Sequence, residues 1–216
     1  MTVYKSHFKI CYLGPYKTIQ SHKTKEMNFK ELVLKNRSYR RFDEQFMIDR
    51  DTLTDLIKLA RLAASGRNGQ PLKYFLSHEK ELNQAIFTTL VWAGYLKEWP
   101  GPKPGERPTA YIILLLDRHI ADNYFCDDGI AMQNILLGAV EKGLGGCIIQ
   151  SINKPRLSAM LGLASHLEII DVVALGKPVE EVVITDVGED GDIRYYRDAN
   201  GVHFVPKRAL NELIVN

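Results

Sequence analysis

Asp127-Asp128-Gly129-Ile130-Ala131-Met132-Gln133-Asn134-Ile135-Leu136-Leu137-Gly138-Ala139-Val140-Glu141-Lys142-Gly143-Leu144-Gly145-Gly146-Cys147-Ile148-Ile149-Gln150 is the stretch that fixes the fold class. Ile130, Met132, Ile135, Leu136, Ala139 and Val140 spread around most of a helical surface, which predicts a long helix from Asp127 to Gly143. A helix apolar on nearly all sides is buried inside a domain or against a second subunit. Gly143 ends it, with Gly145-Gly146 beyond, and Cys147–Gln150 then reads as a strand. Further strands are expected at 74–77, 109–116 and 167–175, and helices at 28–35, 79–96, 155–161 and 206–213. Another helix opens at Asp51, capped by Asp49 or Asp51, with Leu53, Leu56, Ile57, Leu59, Ala60 and Ala63 on its apolar positions. Strands and helices mix without a strict β-α-β rhythm, so the chain reads as α+β in one domain.

The chain has 216 residues, 45% hydrophobic and 25% charged, with a formal net charge of +2. Those values exclude disorder, collagen and a simple coiled coil, and a chain this long buries about 70% of its surface without staples. The longest apolar runs, 111–116 and 169–175, are too short to span a bilayer, so no membrane partner is expected. Three cysteines, an odd number without a CxxC pair, indicate neither a disulfide framework nor a zinc site, and a reducing cytoplasmic setting follows. Residues 1–26 are polar and basic with Gly14-Pro15 in their middle, and read as an extension ahead of a domain spanning 27–216. The small net charge and the thin aromatic content of that basic arm argue against a nucleic-acid partner.

No Walker loop, GxSxG elbow or His pair at i, i+4 is present, so no metal site and no catalytic side chain is expected. Asp127-Asp128 reads as acidic residues favoured at a helix start. What remains is Asn36-Arg37-Ser38-Tyr39-Arg40-Arg41-Phe42, in which guanidiniums flank a hydroxyl. Arginine offers a planar donor fork that matches phosphate, and serine adds a neutral donor. The bland alternative is a solvated basic turn.

Arg37-Ser38-Tyr39-Arg40-Arg41-Phe42 resembles the Arg-Ser-x-Arg-x-Phe segment of FMN-dependent nitroreductases. Four further segments follow in that family's order. Ala64–Pro71 is similar to its small-Ser-x-x-Asn-x-Gln-Pro loop, and Asp128–Asn134 with Gly143-Leu144-Gly145 to its central helix and exit. Leu161-Gly162-Leu163 with Val173–Pro178 resembles the Leu-Gly-Leu and Ala-Leu-Gly-x-Pro pair, and Pro206-Lys207-Arg208 the basic C-terminal contact. Asn36 departs from the family, where many members carry a second arginine, and so does Leu72, where the family often has tryptophan.

The resemblance implies a central mixed or antiparallel sheet flanked by helices. It also implies a homodimer built on the long central helix, with FMN bound at the subunit interface. By the same analogy Arg37, Ser38 and Arg40 bind the phosphate and ribityl chain, Lys207 and Arg208 close on the phosphate, and Arg40 alternatively reaches the pyrimidine edge. Ser65, Asn68 and Gln70 address the ring and ribityl hydroxyls; Ile149, Gln150 and Ser151, matched by spacing only, lie near the hydride-carrying N5. The implied activity is hydride transfer from NAD(P)H through the flavin to a nitroaromatic or quinone in a ping-pong scheme. Trp92, Tyr95 and Trp99, with the loop 100–105, are candidates to face the small-molecule acceptor, against the alternative of core packing. Rival outcomes on the same scaffold are dehalogenation and dimethylbenzimidazole synthesis; residues 80–105 offer them few charges beyond Lys97, Glu98 and Lys103. From another class, a non-catalytic flavin-binding or nucleic-acid-binding protein would account for the basic clusters.

Overall fold

Two strands carry almost no exposed side chain: β2 (Ala110–Asp117) and β4 (Leu167–Gly176). They form the middle of a four-stranded sheet of order β1-β2-β4-β3, with β1 (Leu72–Ser77) and β3 (Gly145–Ile149) at its edges and every pair antiparallel. The structure, a computed structural model, describes residues 27–215. The expectation for residues 1–26 lies outside the described residues.

Both sheet faces are covered, and the period of two along a strand assigns each side chain to one of them. Ile112, Leu114 and Leu116 pack with Val173 and Leu175 against α2 (Arg50–Arg61) and α4 (Asp127–Glu141). Tyr111, Ile113 and Leu115 face the other way, with Ile169, Val172 and Ala174, against Ile86 of α3 (Lys80–Phe87) and Leu157 of α5 (Lys154–Leu161). Within the second set the register slips: Ile113 pairs with Val172 but Leu115 with Ile169. The extra β4 residue is a bulge, which turns the strand and places the Asp171 carboxyl in the interior. Burial raises that carboxyl above its ordinary range, opposed by a hydrogen bond from Gln150.

Helix α4 follows the sequence closely. Asp127 is its first residue, and the chain leaves it through Gly143 at φ +73°, a left-handed turn that suits glycine. Asp49 caps α2, accepting from Thr52 N at 2.7 Å, which settles the choice between Asp49 and Asp51. Helix α1 (Phe29–Lys35) begins at the reciprocal cap of Asn28 and Glu31. Among the described residues, no helix is long and apolar enough to cross a membrane.

Two expectations are corrected. The helix predicted at 79–96 ends at Phe87, where the Thr88 and Thr89 hydroxyls turn back onto Ala85 O and Ile86 O. Leu90 then bridges to Ile152, Val91 N donates to Ser151 O at 2.9 Å, and Ala93 sits at φ +42°. The helix predicted at 206–213 shrinks to one turn, α6 (Leu210–Leu213). Pro206 belongs instead to β7 (His203–Lys207), which lies between β5 (Val182–Asp186) and the short β6 (Tyr196–Arg197) in a second sheet that the sequence reading missed. The nitrogen of Pro206 faces the side where β6 has already ended, so no ladder bond is lost.

Candidate functional site

The 37–42 segment is strapped across the start of β3. Ser38 forms an isolated parallel bridge with Gly146, and Tyr39 N donates to Gly146 O at 3.0 Å. A Cβ at Gly146 would lie 2.6 Å from Ala174 O, and one at Gly145 2.5 Å from the Tyr39 ring, so glycine at these positions lets β4 and the segment approach β3 this closely. Phe42 is fully buried against Gly176 and anchors the far end.

Arg37 donates to Val33 O at 2.8 Å, closing the last turn of α1, while its Nε is buried without a partner. Ser38 is exposed. Arg40 donates to Ser38 O at 3.2 Å, lies 3.4 Å from His203 Nε2, and covers the Tyr195 ring at 4.9 Å. Beneath it Glu180, a fully buried carboxylate, accepts from Arg40 N, from Arg41 N at 3.1 Å and from Arg197 Nη2 at 2.7 Å. Arg41 turns away into a two-pronged bond with Glu106 at 2.6 and 2.9 Å.

Tyr195 links this cluster to the candidate acceptor residues. Its ring centroid is 5.0 Å from that of Tyr95, and Arg197 lies 4.2 Å above the Trp99 ring. Arg40, Tyr95 and Trp99 are thus gathered around one aromatic and cationic cluster. Trp92 is not: it is buried, 5.7 Å from Phe87 and against Gly101, in the packing role held open as the alternative.

His203 is buried beside two guanidiniums. Burial, then Arg40 and Arg197, push its pKa down to about 4, so the ring is neutral near pH 7. The unfolded chain takes up the proton first, so stability is lost as pH falls from about 6.5 towards 4, by up to about 3 kcal/mol. Thermal melts across that interval are expected to show a smaller acid loss for His203→Gln than for the parent.

The second predicted element, residues 65–70, folds on the start of α4. Asp127 is buried and accepts from Ser65 Oγ at 2.6 Å and Gly66 N at 2.8 Å, while Ser65 Oγ accepts from Gln70 N at 2.8 Å. Arg67, Asn68 and Gln70 all have positive φ, between 50° and 55°, a concentration of backbone strain typical of ligand-holding loops. Asn68 and Gln70 are exposed, with Gln70 Nε2 3.2 Å from Asn68 Oδ1. Phe125, itself at φ +49°, lays its ring over Gly66. Asp127 therefore clamps a loop as well as opening a helix, and Phe125 was not singled out by sequence.

Ile149 is buried at the end of β3, whereas Gln150 and Ser151 are exposed, Gln150 bonding to Asp171 and Ser151 O to Val91 N. Lys207 is exposed in register with Asp186, and Arg208 pairs with Glu212 at 3.4 Å. The 37–40 segment and the 65–70 loop lie at opposite ends of α4, which at 15 residues is about 22 Å long.

Residues 33–177 match the Nitroreductase family, which is two thirds of the chain. The chain belongs to the nitroreductase family. A putative NADH dehydrogenase/NAD(P)H nitroreductase of Archaeoglobus fulgidus is 24% identical over 159 residues, 70% of this chain and 86% of the relative. A nitroreductase family protein from Clostridium novyi NT is 26% identical with a TM-score of 0.58, covering 70% of this chain and 87% of that one. An FMN-dependent nitroreductase from Clostridium difficile R20291, at 21% identity and a TM-score of 0.55, and a nitroreductase family protein from Streptococcus pneumoniae TIGR4, at 16% and 0.63, share the fold. Family membership agrees with the α+β architecture and makes this nitroreductase-fold protein an oxidoreductase by class.

Proposed function

We propose that the protein is an FMN-dependent oxidoreductase that moves hydride from NAD(P)H to an electron-poor small molecule such as a nitroaromatic or quinone. The observation that carries the reading is the strapped Arg37-Ser38-Tyr39-Arg40 segment. It presents two guanidiniums and a hydroxyl from one short, buttressed turn, and one of those guanidiniums keeps a buried Nε without a partner. A buried donor without a partner costs about 1–3 kcal/mol, which a phosphate oxygen would relieve. The donor set therefore fits a flavin mononucleotide: Arg37, Ser38 and Arg40 for the phosphate and ribityl chain, Ser65, Asn68 and Gln70 for polar atoms of the ring.

Bound there, FMN would supply the hydride-accepting and hydride-donating chemistry. The protein's share is positioning. Glu180 holds Arg40 in place through its backbone, the neutral His203 packs beside it without adding charge, and Tyr95, Tyr195 and Trp99 offer flat apolar surface for a planar acceptor.

Because the two halves of the candidate site sit at opposite ends of α4, we propose a homodimer in which the 37–40 segment of one subunit faces the 65–70 loop of its partner. An apolar groove beside α4 supports this. Phe29, Leu32, Leu59, Leu62 and Leu137 line it, and Phe29 and Leu62 are more than 70% exposed in the single chain.

The deciding experiment is a visible absorbance spectrum of the purified protein before and after anaerobic NADH or NADPH. A flavin spectrum that bleaches supports the reading. A protein that fails to take up FMN on reconstitution overturns it.

A further inference from the structure

We propose that Asp117, His119 and His166 form a binding site for one divalent transition-metal ion of the zinc type, separate from the flavin site. His119 and His166 stand 47 positions apart in sequence, and sheet pairing brings them together. Asp117 closes β2 in register with Leu167, which sets His166 beside it, and Arg118 N donates to His166 O at 2.8 Å. The chain then turns tightly, with His119 N donating to Asp117 Oδ1 at 3.0 Å. The two imidazole rings stack at 4.0 Å, 10° from parallel, and one ligand atom from each of the three side chains lies within 4.8 Å of the others.

Two imidazoles and a carboxylate are the ligand types of a zinc site that keeps open positions for water, and they select against calcium and magnesium, which take oxygen alone. Tetrahedral ligands at about 2.1 Å from an ion are about 3.4 Å apart. The observed spread of up to 4.8 Å exceeds that value by about 1.4 Å, and the rings now stack face to face, so ligation requires the exposed His119 ring to turn out of the stack and point a nitrogen at the ion. Lys73 Nζ, 4.0 Å from Asp117 Oδ2, competes for this carboxylate, and its half-exposed chain is free to swing aside.

The ion's place in the fold gives it a role. It would tie the 118–126 connection, which carries Phe125 over the 65–70 loop, to the turn between α5 and β4. It would thus act as a staple on the rim of the candidate flavin site, without touching the donors assigned to the flavin.

The test is titration of metal-stripped, untagged full-length protein with Zn²⁺ by calorimetry. One ion per chain is expected, with micromolar or tighter affinity, weakened at least tenfold in His119→Ala and in His166→Ala. Hydrogen exchange across 118–126 should slow on Zn²⁺ addition in the parent and not in His119→Ala. Absence of saturable Zn²⁺ binding, parental affinity in a folded variant, or unchanged exchange in the parent would each overturn the proposal. His119 is exposed and its replacement leaves the core intact, so His119→Ala decides the matter if His166→Ala fails to fold. FMN uptake is read separately and does not enter this result.

Discussion

Replacing Glu180 with alanine is expected to destabilise the protein by about 3–5 kcal/mol, because a buried charge pair is broken from one side. Glu180 is fully buried, and its loss strands Arg197, which is 14% exposed, together with the backbone N–H groups of Arg40 and Arg41. For a chain of this size that corresponds to a fall in Tm of roughly 6–20 °C. The Glu180→Gln variant keeps an acceptor for the two backbone donors but turns an amide N–H₂ towards Arg197, so an intermediate loss is expected. Thermal denaturation of the two variants checks the ordering. If Glu180→Ala melted with the parent, the carboxylate would not be what holds the 39–42 turn. FMN affinity of the surviving fraction should fall in the same order, since Arg40 is aimed from that turn.

Asp127→Ala should be the second large effect, of about 4 kcal/mol. Two charge-assisted bonds disappear, each worth about 1.5–3 kcal/mol, and Gly66 N and Ser65 Oγ are left without their acceptor. The strained φ angles at Arg67, Asn68 and Gln70 are sustained by this clamp and by the Phe125 ring over Gly66, so the loop should relax when the clamp goes. Faster hydrogen exchange confined to residues 64–71, together with a lower Tm, is the expected signature. Asp127→Asn retains one acceptor oxygen for Gly66 N and should lose about half as much. A Tm loss in Asp127→Ala without faster exchange at 64–71 would place the carboxylate's role in the helix start alone.

The sheet and α4 were legible because their patterns are pure. A run such as Tyr111–Leu116 has no other comfortable place than a doubly covered strand, and α4 has Gly143 to mark its end. The second sheet was not legible. Its strands are short and mixed with charge, and Pro206 carries an equally good signal for a helix start, which pairing with β5 overrides. Helix α3 was overrun for a related reason: apolar spacing continues past Phe87, but the threonine hydroxyls and the bridge from Leu90 to Ile152 compete successfully for the backbone. In the candidate site, Arg37, Ser38 and Arg40 were visible as a local motif. Glu180, Tyr195 and His203 were not, since each meets that motif only across more than a hundred residues of chain, and Arg197 joins them through Glu180. The His119–His166 pair escaped for the same reason, as it exists only once β2 and β4 are in register.

The stretch between Leu90 and Glu106 is tied down at its two feet. Leu90 and Val91 are fixed to Ser151 and Ile152, and Glu106 is locked to Arg41 and to Phe42 N. Between these ties Trp92 packs in the core with Tyr111, Ile113 and Leu115, and Trp99 is partly buried against it. With Trp92 kept, the remainder is an exchangeable cassette: a longer segment grafted between the same anchors raises the loop-closure cost by only about 0.6 kcal/mol for each doubling of length. Diversification of what the enzyme accepts can proceed there, by insertion and deletion, while the scaffold that would grip the cofactor is inherited unaltered.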